Sequence, residues 1–226
     1  MKILVLGRGK TGALVAEVST ERGHQTRTLA GQENQDGRGL TLDLLKQIDV
    51  AIDFTTPNAV IPNIIRCVEA GVPLVVGTTG WYQHLEKVSE LVRERKASFL
   101  YGSNFSIGMN FFFKALRSVA PALKHSYKSN IVEKHHAEKK DKPSGTAVTI
   151  QKILEGDSGQ KIEIASIREG NTVGMHLVVL DSSNDTILLT HDAKSRLGFA
   201  EGAVRAAEWL KGRTGFFEFP EIVDQL

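Results

Sequence analysis

Cysteine is almost absent from this chain, with Cys67 the single one among 226 residues. One thiol cannot form an internal disulfide, which excludes the disulfide-rich secreted scaffolds. The helical pattern around Cys67 predicts a buried apolar side chain rather than a nucleophile. The sequence also lacks any apolar run of the roughly 18–20 residues that a membrane-spanning helix requires. With no secretory leader in view, we expect a cytoplasmic protein.

An excess of charge of one sign is missing as well. Lys and Arg number 28 against 26 for Asp and Glu, and the formal net charge is +2. This balance gives no argument for binding to nucleic acid or to a membrane surface. The 41% of hydrophobic residues is enough to bury an ordinary globular core. Repeats and low-complexity segments are absent, so the length allows one large domain or two modest ones.

A glycine-rich turn near the start is the first pattern with chemical content. An apolar run at 3–6 is typical of a strand buried on both faces, and three glycines follow it in the spacing G-x-G-x-x-G. Before a helix, such glycines permit a tight turn and let the backbone approach a pyrophosphate, while the helix start offers N–H groups. The predicted dinucleotide contacts here are Gly7, Gly9, Lys10, Thr11 and Gly12.

Strand and helix patterns alternate through the first half of the chain, which predicts an α/β unit with a Rossmann-like parallel sheet and helices on both faces. The predicted strands are 3–6, 25–29, 50–54, 74–76 and 98–101, and the predicted helices are 13–22, 58–70 and 84–95. Thr56 and Pro57 suit the cap and first turn of the second helix. Pro62 follows so closely that we expect the start of this helix to be irregular.

The loops at the carboxyl ends of these strands form the predicted ligand-binding edge, because ligands of parallel sheets bind there. These loops carry small, hydroxyl and amide residues, which suit a polar ligand contacted partly by backbone groups. The predicted cofactor contacts in the later loops are Gly77, Thr78, Thr79, Ser103, Asn104 and Phe105.

The second half of the sequence has its strands in succession. Helix patterns at 108–123 and 146–154 flank a strand at 127–133, and strands at 162–168, 175–181 and 186–191 follow. Residues 182–184 predict a hairpin turn between the last two strands. This order predicts a mixed or mostly antiparallel sheet in a second, α+β domain. A helix at 199–210, ended by Gly212, and an aromatic tail at 215–226 come last, and we expect the tail to pack on the first domain.

The run from Glu133 to Ala147 is the most informative segment of the chain. It contains two imidazoles, a cluster of ammonium groups and the sequence Pro-Ser-Gly-Thr, in which Ser144 can cap a following helix. Proton donors, cations and a helix N-terminus together suit binding a small dianion and giving it a proton. The alternative interpretation is a solvated charge run with no chemical role.

The run reads E-K-H-H-x-x-K-x-D-x-P-S-G-T-A and resembles the signature of the dihydrodipicolinate reductase family. The resemblance spans the whole chain and takes in residues 7–12, 53–55, 77–80, 104–108 and 196–203. It implies reduction of 4-hydroxy-tetrahydrodipicolinate, a cyclic dicarboxylate, by hydride from a nicotinamide in lysine and diaminopimelate synthesis. It also implies a dinucleotide-binding domain at 1–106, a substrate-binding and oligomerisation domain at 107–196, and a segment at about 197–226 that returns to the first domain.

The same resemblance implies roles for single residues. His135 corresponds to the general acid and base, and Lys139 to the second proton donor. The implied substrate contacts are His136, Lys139, Ser144, Gly145 and Thr146. Family members are commonly homotetramers joined through the sheet of the second domain, so the strands at 175–191 are candidates for that contact.

Two questions about the histidines remain open in the sequence. If 127–136 is one regular strand, His135 and His136 face opposite ways, and one of them is purely structural. A metal site formed by the histidines at 135, 136, 176 and 191 is not expected, because no ligand-spacing pattern is present.

The choice of cofactor depends on the end of the second predicted strand. NAD-specific folds often place an acid there to hold the ribose 2′-hydroxyl. Here the strand is followed by residues 30–32, and the nearest acid is Glu33. Arg27 and Arg8 are candidate partners of a 2′-phosphate. The sequence therefore favours NADPH, with use of NADH also expected.

Two other functions are compatible with a dinucleotide-binding first domain. One is a related two-domain dehydrogenase that acts on another amino or oxo acid, and the other is a regulator that binds NAD(P) without chemistry. The proton-donor run at 133–147 argues against both, because neither class carries or needs it.

Overall fold

A computed structural model describes residues 1–156 and 159–226 of the chain. They form two compact units, with Met1–Ile107 and Leu197–Leu226 in unit 1 and Gly108–Arg196 in unit 2. Within the described ranges, no helix combines the length and apolar character needed to cross a membrane.

The described residues of the two units form ten strands and eight α-helices. The strands are β1 (Lys2–Leu6), β2 (Gln25–Leu29), β3 (Val50–Asp53), β4 (Leu74–Val76), β5 (Ser98–Tyr101), β6 (Lys128–His135), β7 (Glu163–Arg168), β8 (Gly174–Asp181), β9 (Thr186–Ala193) and β10 (Gly215–Glu218). The helices are α1 (Lys10–Glu21), α2 (Leu42–Leu45), α3 (Pro57–Glu69), α4 (Leu85–Glu94), α5 (Ile107–Val119), α6 (Gly145–Glu155), α7 (Leu197–Leu210) and α8 (Phe219–Ile222).

Unit 1 is built on a six-stranded parallel sheet in the order β10-β5-β4-β3-β1-β2. Side chains of β1 alternate between two cores, so that Ile3 and Val5 pack with α1 and α7 while Leu4 and Leu6 pack with α3 and α4. The chain leaves β1 on one side for β2 and returns on the other side for β3. The carboxyl ends of β1 and β3 therefore form the switch point at which ligands of such sheets bind.

The aromatic tail belongs to unit 1. β10 pairs with β5 in parallel register, and the ring of Phe216 stacks on Phe99 with centroids 5.2 Å apart. The tail thus adds a sixth strand to the sheet. Periodicity did not indicate this strand, because four residues are too few to show an alternation.

Helix α3 differs from the expectation. It runs from Pro57 to Glu69 as one helix with Pro62 inside it, so the predicted irregular start is wrong. Pro62 is only the sixth residue of the helix, and its ring displaces a single bond to a carbonyl in the exposed first turn. Thr56 takes the cap position, although its side chain makes no capping hydrogen bond. Cys67 lies on this helix and is fully buried, as predicted.

Unit 2 contains a mixed sheet in the order β7-β6-β8-β9, with β6 and β7 parallel and the other pairs antiparallel. The predicted hairpin between β8 and β9 is present, and the N–H of Ser182 donates to the carbonyl of Asp185 at 3.0 Å. Helices α5 and α6 cover one face, where Leu116 and Ile150 pack with Ile131 of β6. The predicted fold class, a Rossmann-like sheet with a second α+β unit, is confirmed.

Candidate active site

The glycine turn after β1 has the shape that a phosphate requires. Gly7 has φ +100°, and a Cβ there would lie 2.2 Å from the carbonyl oxygen of Phe54. A Cβ on Gly12 would lie 2.2 Å from the Gly7 oxygen, so both positions need glycine. Gly9 is different, since a Cβ there would meet nothing within 4 Å. Gly9 caps α1 without any side-chain bond, which leaves the first N–H groups of the helix to an anionic ligand.

Two cavities meet at this turn. One of about 500 Å³ is lined by Gly7, Arg8 and Gly9 together with residues that follow β2 and β3. The other, of about 320 Å³, brings together residues from three loops. Its lining residues are Gly9, Lys10, Thr11, Phe54, Thr55, Pro57, Gly77, Thr78 and Thr79. A pyrophosphate at Gly9 with one nucleoside in each cavity fits this arrangement, so the residues present suit a dinucleotide.

The loop after β5 carries the last three predicted cofactor contacts. Ser103 is exposed, and the Asn104 side chain accepts a hydrogen bond from the N–H of Ser106 at 2.9 Å. Phe105 is 2% exposed, and its ring packs on Phe54 and Phe219 in the core. A ligand can therefore meet Phe105 only through its backbone.

The end of β2 brings an arginine and an acid together. Glu33 accepts a hydrogen bond from the N–H of Ala30 at 2.7 Å and lies 3.6 Å from a guanidinium nitrogen of Arg8. Arg27, in contrast, lines a separate cavity with Lys2 and neighbouring residues near α2. Arg27 is thus not among the residues that line the cavity at the glycine turn, and its contact with a 2′-phosphate stays a prediction. Arg27 lies two residues before the end of its strand, whereas Arg8 lies in the glycine turn itself.

A buried carboxylate lies beneath the two cavities, and it is not among the site residues predicted from the sequence. Asp53 is fully buried at the end of β3. Its Oδ1 accepts from both the N–H and the hydroxyl of Thr55 and from the hydroxyl of Thr78, at 2.7–2.9 Å. Its Oδ2 accepts from Asn63 at 2.7 Å, and Asn63 in turn accepts from Asn34 at 2.8 Å. Burial raises the pKa of Asp53, and these donors oppose the rise.

The corresponding centre of unit 2 is a buried histidine–carboxylate–arginine cluster. β6 extends two residues beyond its predicted end, so Glu133 and His135 share one face of the strand. Nδ1 of His135 is hydrogen-bonded to Oε2 of Glu133, and Oε1 of Glu133 accepts from Arg168 at 2.8 Å. Glu133 is fully buried and His135 is 8% exposed, so water screens this cluster weakly.

Burial and hydrogen bonding set the charges in this cluster. Desolvation would raise the pKa of Glu133, but hydrogen bonds from Arg168, Ser166 and His135 outweigh it and lower that pKa to about 2. Burial lowers the pKa of His135, and the carboxylate of Glu133 only partly opposes this. Around neutral pH the carboxylate is therefore ionised, and the imidazole of the free protein is neutral.

His176 adds a second buried imidazole beside the first. It lies opposite Glu133 in the antiparallel register of β6 and β8, and its ring centroid is 5.2 Å from that of His135. Burial lowers its pKa to about 4. Its Nε2 lies 3.3 Å from Oγ of Ser144, and that oxygen also accepts from the N–H of Ala147. The predicted cap of α6 by Ser144 is thus present, and His176 helps to hold it.

The predicted substrate contacts surround the start of α6 and the preceding loop. Gly145 and Thr146 form the first turn of that helix, where backbone N–H groups face outward. Lys139 is ion-paired with Asp141 at 2.6 Å. The carbonyl of His136 accepts from the N–H of Lys139 in a tight turn at 3.1 Å. His136 follows the last residue of β6 and is half-buried, whereas His135 is buried.

Glu133, His135 and His176 place one nitrogen or oxygen each within 4.8 Å of one another. Such a grouping can hold a metal only when its donors are free to turn toward the ion. Here both oxygens of Glu133 are already bonded, one to Arg168 and one to His135. The arrangement therefore favours a hydrogen-bonded cluster.

Three residues of this centre are not among the site residues predicted from the sequence, namely Glu133, Arg168 and His176. A signal for Glu133 was present, because it lies two residues before His135 on a strand. Arg168 and His176 join the cluster only through strand pairing across gaps of more than 30 residues, so local sequence carried no signal for them.

Comparison with known proteins identifies the family of this chain. The family model described as dihydrodipicolinate reductase, N-terminus, matches residues 1–105, and the model of its C-terminus matches residues 108–223. The 4-hydroxy-tetrahydrodipicolinate reductase of Christiangramia forsetii is 40% identical over 240 aligned positions, which cover 100% of this chain and 99% of that protein. The protein of the same name from Neisseria meningitidis is 33% identical over 200 positions, covering 80% of this chain and 74% of that protein.

A solved structure has a similar fold. It is the dipicolinate-bound dihydrodipicolinate reductase from Paenisporosarcina sp. TG-14, with a TM-score of 0.79 at 22% identity, covering 98% of this chain and 99% of that one. The Rossmann-like unit and the reductase relatives together imply an oxidoreductase with a nicotinamide cofactor. With both family models matched and a relative of 40% identity along its whole length, the chain belongs to the dihydrodipicolinate reductase family.

Proposed function

We propose that the chain reduces 4-hydroxy-tetrahydrodipicolinate to tetrahydrodipicolinate, with NADPH or NADH bound to unit 1 and the dicarboxylate bound to unit 2. The observation that carries the proposal is the cluster at the end of β6. In a chain of this family, an ionised buried Glu133 orients His135 beside a basic loop and the start of α6. A related dehydrogenase or a sensor without chemistry would have no use for this cluster.

The reaction replaces a hydroxyl group by hydrogen, so it consumes one hydride and one proton and releases water. A bound nicotinamide supplies the hydride. His135 supplies the proton through Nε2, because its Nδ1 is held by Glu133. His135 is neutral in the free protein, and the negative charges of the bound dicarboxylate raise its pKa and let it take up that proton.

The carboxylates of the substrate bind the first turn of α6 and the loop before it. Backbone N–H groups at Gly145 and Thr146 and the positive end of the helix dipole favour an anion. Lys139 exchanges its contact with Asp141, which is 54% exposed, for one with the substrate. His136 and Ser144 complete the contact set, Ser144 by holding the cap of α6.

NADPH is used at least as well as NADH. β2 ends without an acid, and Arg8 lies in the glycine turn with its side chain 58% exposed. An arginine at this position can form a bidentate contact with a 2′-phosphate. Glu33 is the competing group, because it lies beside Arg8 and can accept a bond from a free ribose hydroxyl.

The active form is a homotetramer joined through the sheet of unit 2, and it acts in the cytoplasm. One face of that sheet packs under α5 and α6, while the other carries Leu188 and Ile167 at 63% and 42% exposure. These two residues lie on the edge strands β9 and β7, and exposed apolar side chains on one sheet face are typical of a protein contact. The single, buried Cys67 is consistent with a reducing compartment.

The deciding experiment follows nicotinamide absorbance with freshly generated substrate, and then titrates dipicolinate. Lys139→Ala should weaken dipicolinate by about 1.5–3 kcal/mol, because a charge-assisted contact is lost. Lys140→Ala is the matched control, since it removes an exposed neighbouring cation. No oxidation of either cofactor by the wild type would refute the reaction, and equal dipicolinate affinity in both variants would refute the role of Lys139.

A further inference from the structure

Arg168 occupies a position from which one side chain contacts both the histidine cluster and the basic loop. It ends β7 opposite His135 in the parallel register. Its guanidinium donates to Oε1 of Glu133 at 2.8 Å and to the carbonyls of Asp141 and Lys139 at 2.5 and 3.3 Å. The side chain is 12% exposed and Glu133 is fully buried, so the bond between these two is made largely out of water, where it holds geometry most strongly.

Glu133 transmits the contact of Arg168 to His135. An ionised carboxylate accepts hydrogen bonds and cannot donate them, so Nδ1 of His135 must carry the hydrogen of their bond. Nε2 is then the atom that gives and takes protons. A Cβ on residue 174 would lie 2.9 Å from this Nε2, and glycine at that position leaves it uncrowded.

The other two bonds of Arg168 hold the loop on either side of Lys140. A guanidinium is a planar fork of donors that can meet a carboxylate and two carbonyls at once. A lysine ammonium is a compact charge on a flexible stem and cannot span all three acceptors. Both sets of contacts therefore depend on arginine at position 168.

We propose that Arg168 is a positioning residue for the reduction, which orients His135 through Glu133 and holds the loop that carries Lys139 through the carbonyls at 139 and 141. The inference rests on the proposed function, because it takes His135 as the proton donor and Lys139 as a ligand of the substrate carboxylate. The charged and titratable groups that face His135 are Glu133, Lys139, Arg168 and His176.

Two variants separate the two sets of contacts. Glu133→Gln removes the carboxylate that orients His135 but leaves the bonds from Arg168 to the loop. We expect kcat to fall by about 10²-fold or more, with the affinity for dipicolinate little changed. The alkaline limb of the kcat profile should also move to lower pH, because the carboxylate that raises the pKa of His135 is gone.

Arg168→Lys tests the contacts between residue 168 and the loop. It keeps a cation beside Glu133 and loses the fork, so the affinity for dipicolinate should fall by about tenfold while kcat falls less than in Glu133→Gln. Arg168→Met removes both contacts and should show both losses. The matched control is Glu169→Gln, which removes the ion pair between Glu169, the residue after β7, and Lys134 of β6 and should change neither quantity.

The outcomes are distinguishable. Wild-type values of kcat and dipicolinate affinity in folded Arg168→Lys and Glu133→Gln would overturn the proposal. Parallel loss of both quantities in the two variants, in step with melting temperature, would also overturn it and leave a structural ion pair. If Arg168→Met does not fold, Arg168→Lys and Glu133→Gln still test the proposal. An inactive wild type would instead refute the proposed function, whereas an active wild type with unaffected variants refutes only the role of Arg168.

Discussion

Burial and hydrogen bonding together set the charges of the buried side chains in unit 2. Glu133 has no exposed surface and still titrates with a pKa of about 2, because Arg168, Ser166 and His135 supply hydrogen bonds that outweigh desolvation. His176 has no comparable partner, and burial lowers its pKa to about 4. A neutral His135 between these two needs the charge of a bound dianion before it can act as an acid.

The His135→Gln variant tests the proton donor. We expect turnover to fall by about 10²–10⁴-fold, which is the usual contribution of a general acid. Binding of cofactor should be nearly unchanged, because His135 belongs to unit 2 and the glycine turn to unit 1. Steady-state rates and a fluorescence titration with NADPH measure the two quantities. The control is His125→Gln, which changes an exposed histidine of unit 2. Retention of more than about half the activity by His135→Gln would reject the assignment.

We expect Glu33 to affect the choice between NADH and NADPH. Glu33→Ala should lower kcat/KM for NADH and leave or raise the value for NADPH, since Arg8 loses its ion pair and becomes free for a 2′-phosphate. Comparing the ratio of the two kcat/KM values in the variant and in the wild type measures the effect. The same substitution at Glu17, an exposed residue of α1, should leave the ratio unchanged. A wild-type preference for NADH of about tenfold, or about 1.4 kcal/mol, would contradict the proposed preference.

Single elements position the site through alternation and through buried polar contacts. On β6, alternation puts Ile131, Glu133 and His135 on the buried face, so one strand supplies both core and site. On the sheet of unit 1, β3 ends in Asp53, and α3 reaches it with Asn63. This contact ties the loop after β3 to the helix beside it and to Asn34 in the loop after β2.

The Asn63→Leu variant tests that connection. It removes one donor to the buried carboxylate and leaves Asn34 without its acceptor, so we expect a loss of about 1–3 kcal/mol in the free energy of unfolding. Urea denaturation followed by tryptophan fluorescence reports on unit 1, where Trp81 and Trp209 both lie. Asn58→Leu, at an exposed position of the same helix, should change stability by less than about 0.5 kcal/mol. Equal losses in the two variants would contradict the prediction.

For the molecule as a whole, buried titratable groups, with His176 foremost, make stability depend on pH. The pKa of His176 is about 4 in the folded state, against about 6.5 for an unfolded histidine. As pH falls below 6.5 the unfolded chain takes up the proton first, so stability is full above that value and declines toward pH 4. His176 accounts for a decline on the order of 3 kcal/mol, and the depressed pKa of Glu133 adds a further loss toward pH 2.

His176→Gln should therefore flatten the dependence of the melting temperature on pH between about 6.5 and 4. Circular dichroism of the wild type and the variant across this window makes the comparison. His125→Gln should keep the wild-type slope, because that histidine is exposed. An unchanged slope in His176→Gln would show that other groups govern the acid response.

The proposed tetramer can be tested on the exposed face of the unit 2 sheet. Leu188→Asp places a charge on the exposed face of the unit 2 sheet, where burial in an interface would be costly. We expect light scattering to show a smaller assembly, and we expect the dissociated subunits to have a lower melting temperature. Leu42→Asp is the control, since that leucine is 65% exposed but lies in unit 1. A tetramer that survives Leu188→Asp and Ile167→Asp would place the contact elsewhere.

The features that the sequence determined are those encoded over short distances. Each of these features can be recognised from residues that are close in sequence. They are the apolar run and glycine spacing at 3–12, the successive strands of the second half and the run at 133–147. Periodicity and turn chemistry report such local order directly. The two-part fold class and the family were predictable for this reason.

Contacts between distant segments were decided only by the tertiary structure. Arg168 meets Glu133 across 35 residues, Asp53 meets Thr78 across 25, and Glu33 folds back on the glycine turn. The length of β10, the passage of α3 through Pro62 and the position of Arg27 in a cavity near α2 also follow from packing. Such contacts depend on strand register and on which buried polar groups form hydrogen bonds with one another. The spacing of neighbouring residues in the sequence predicts neither of these.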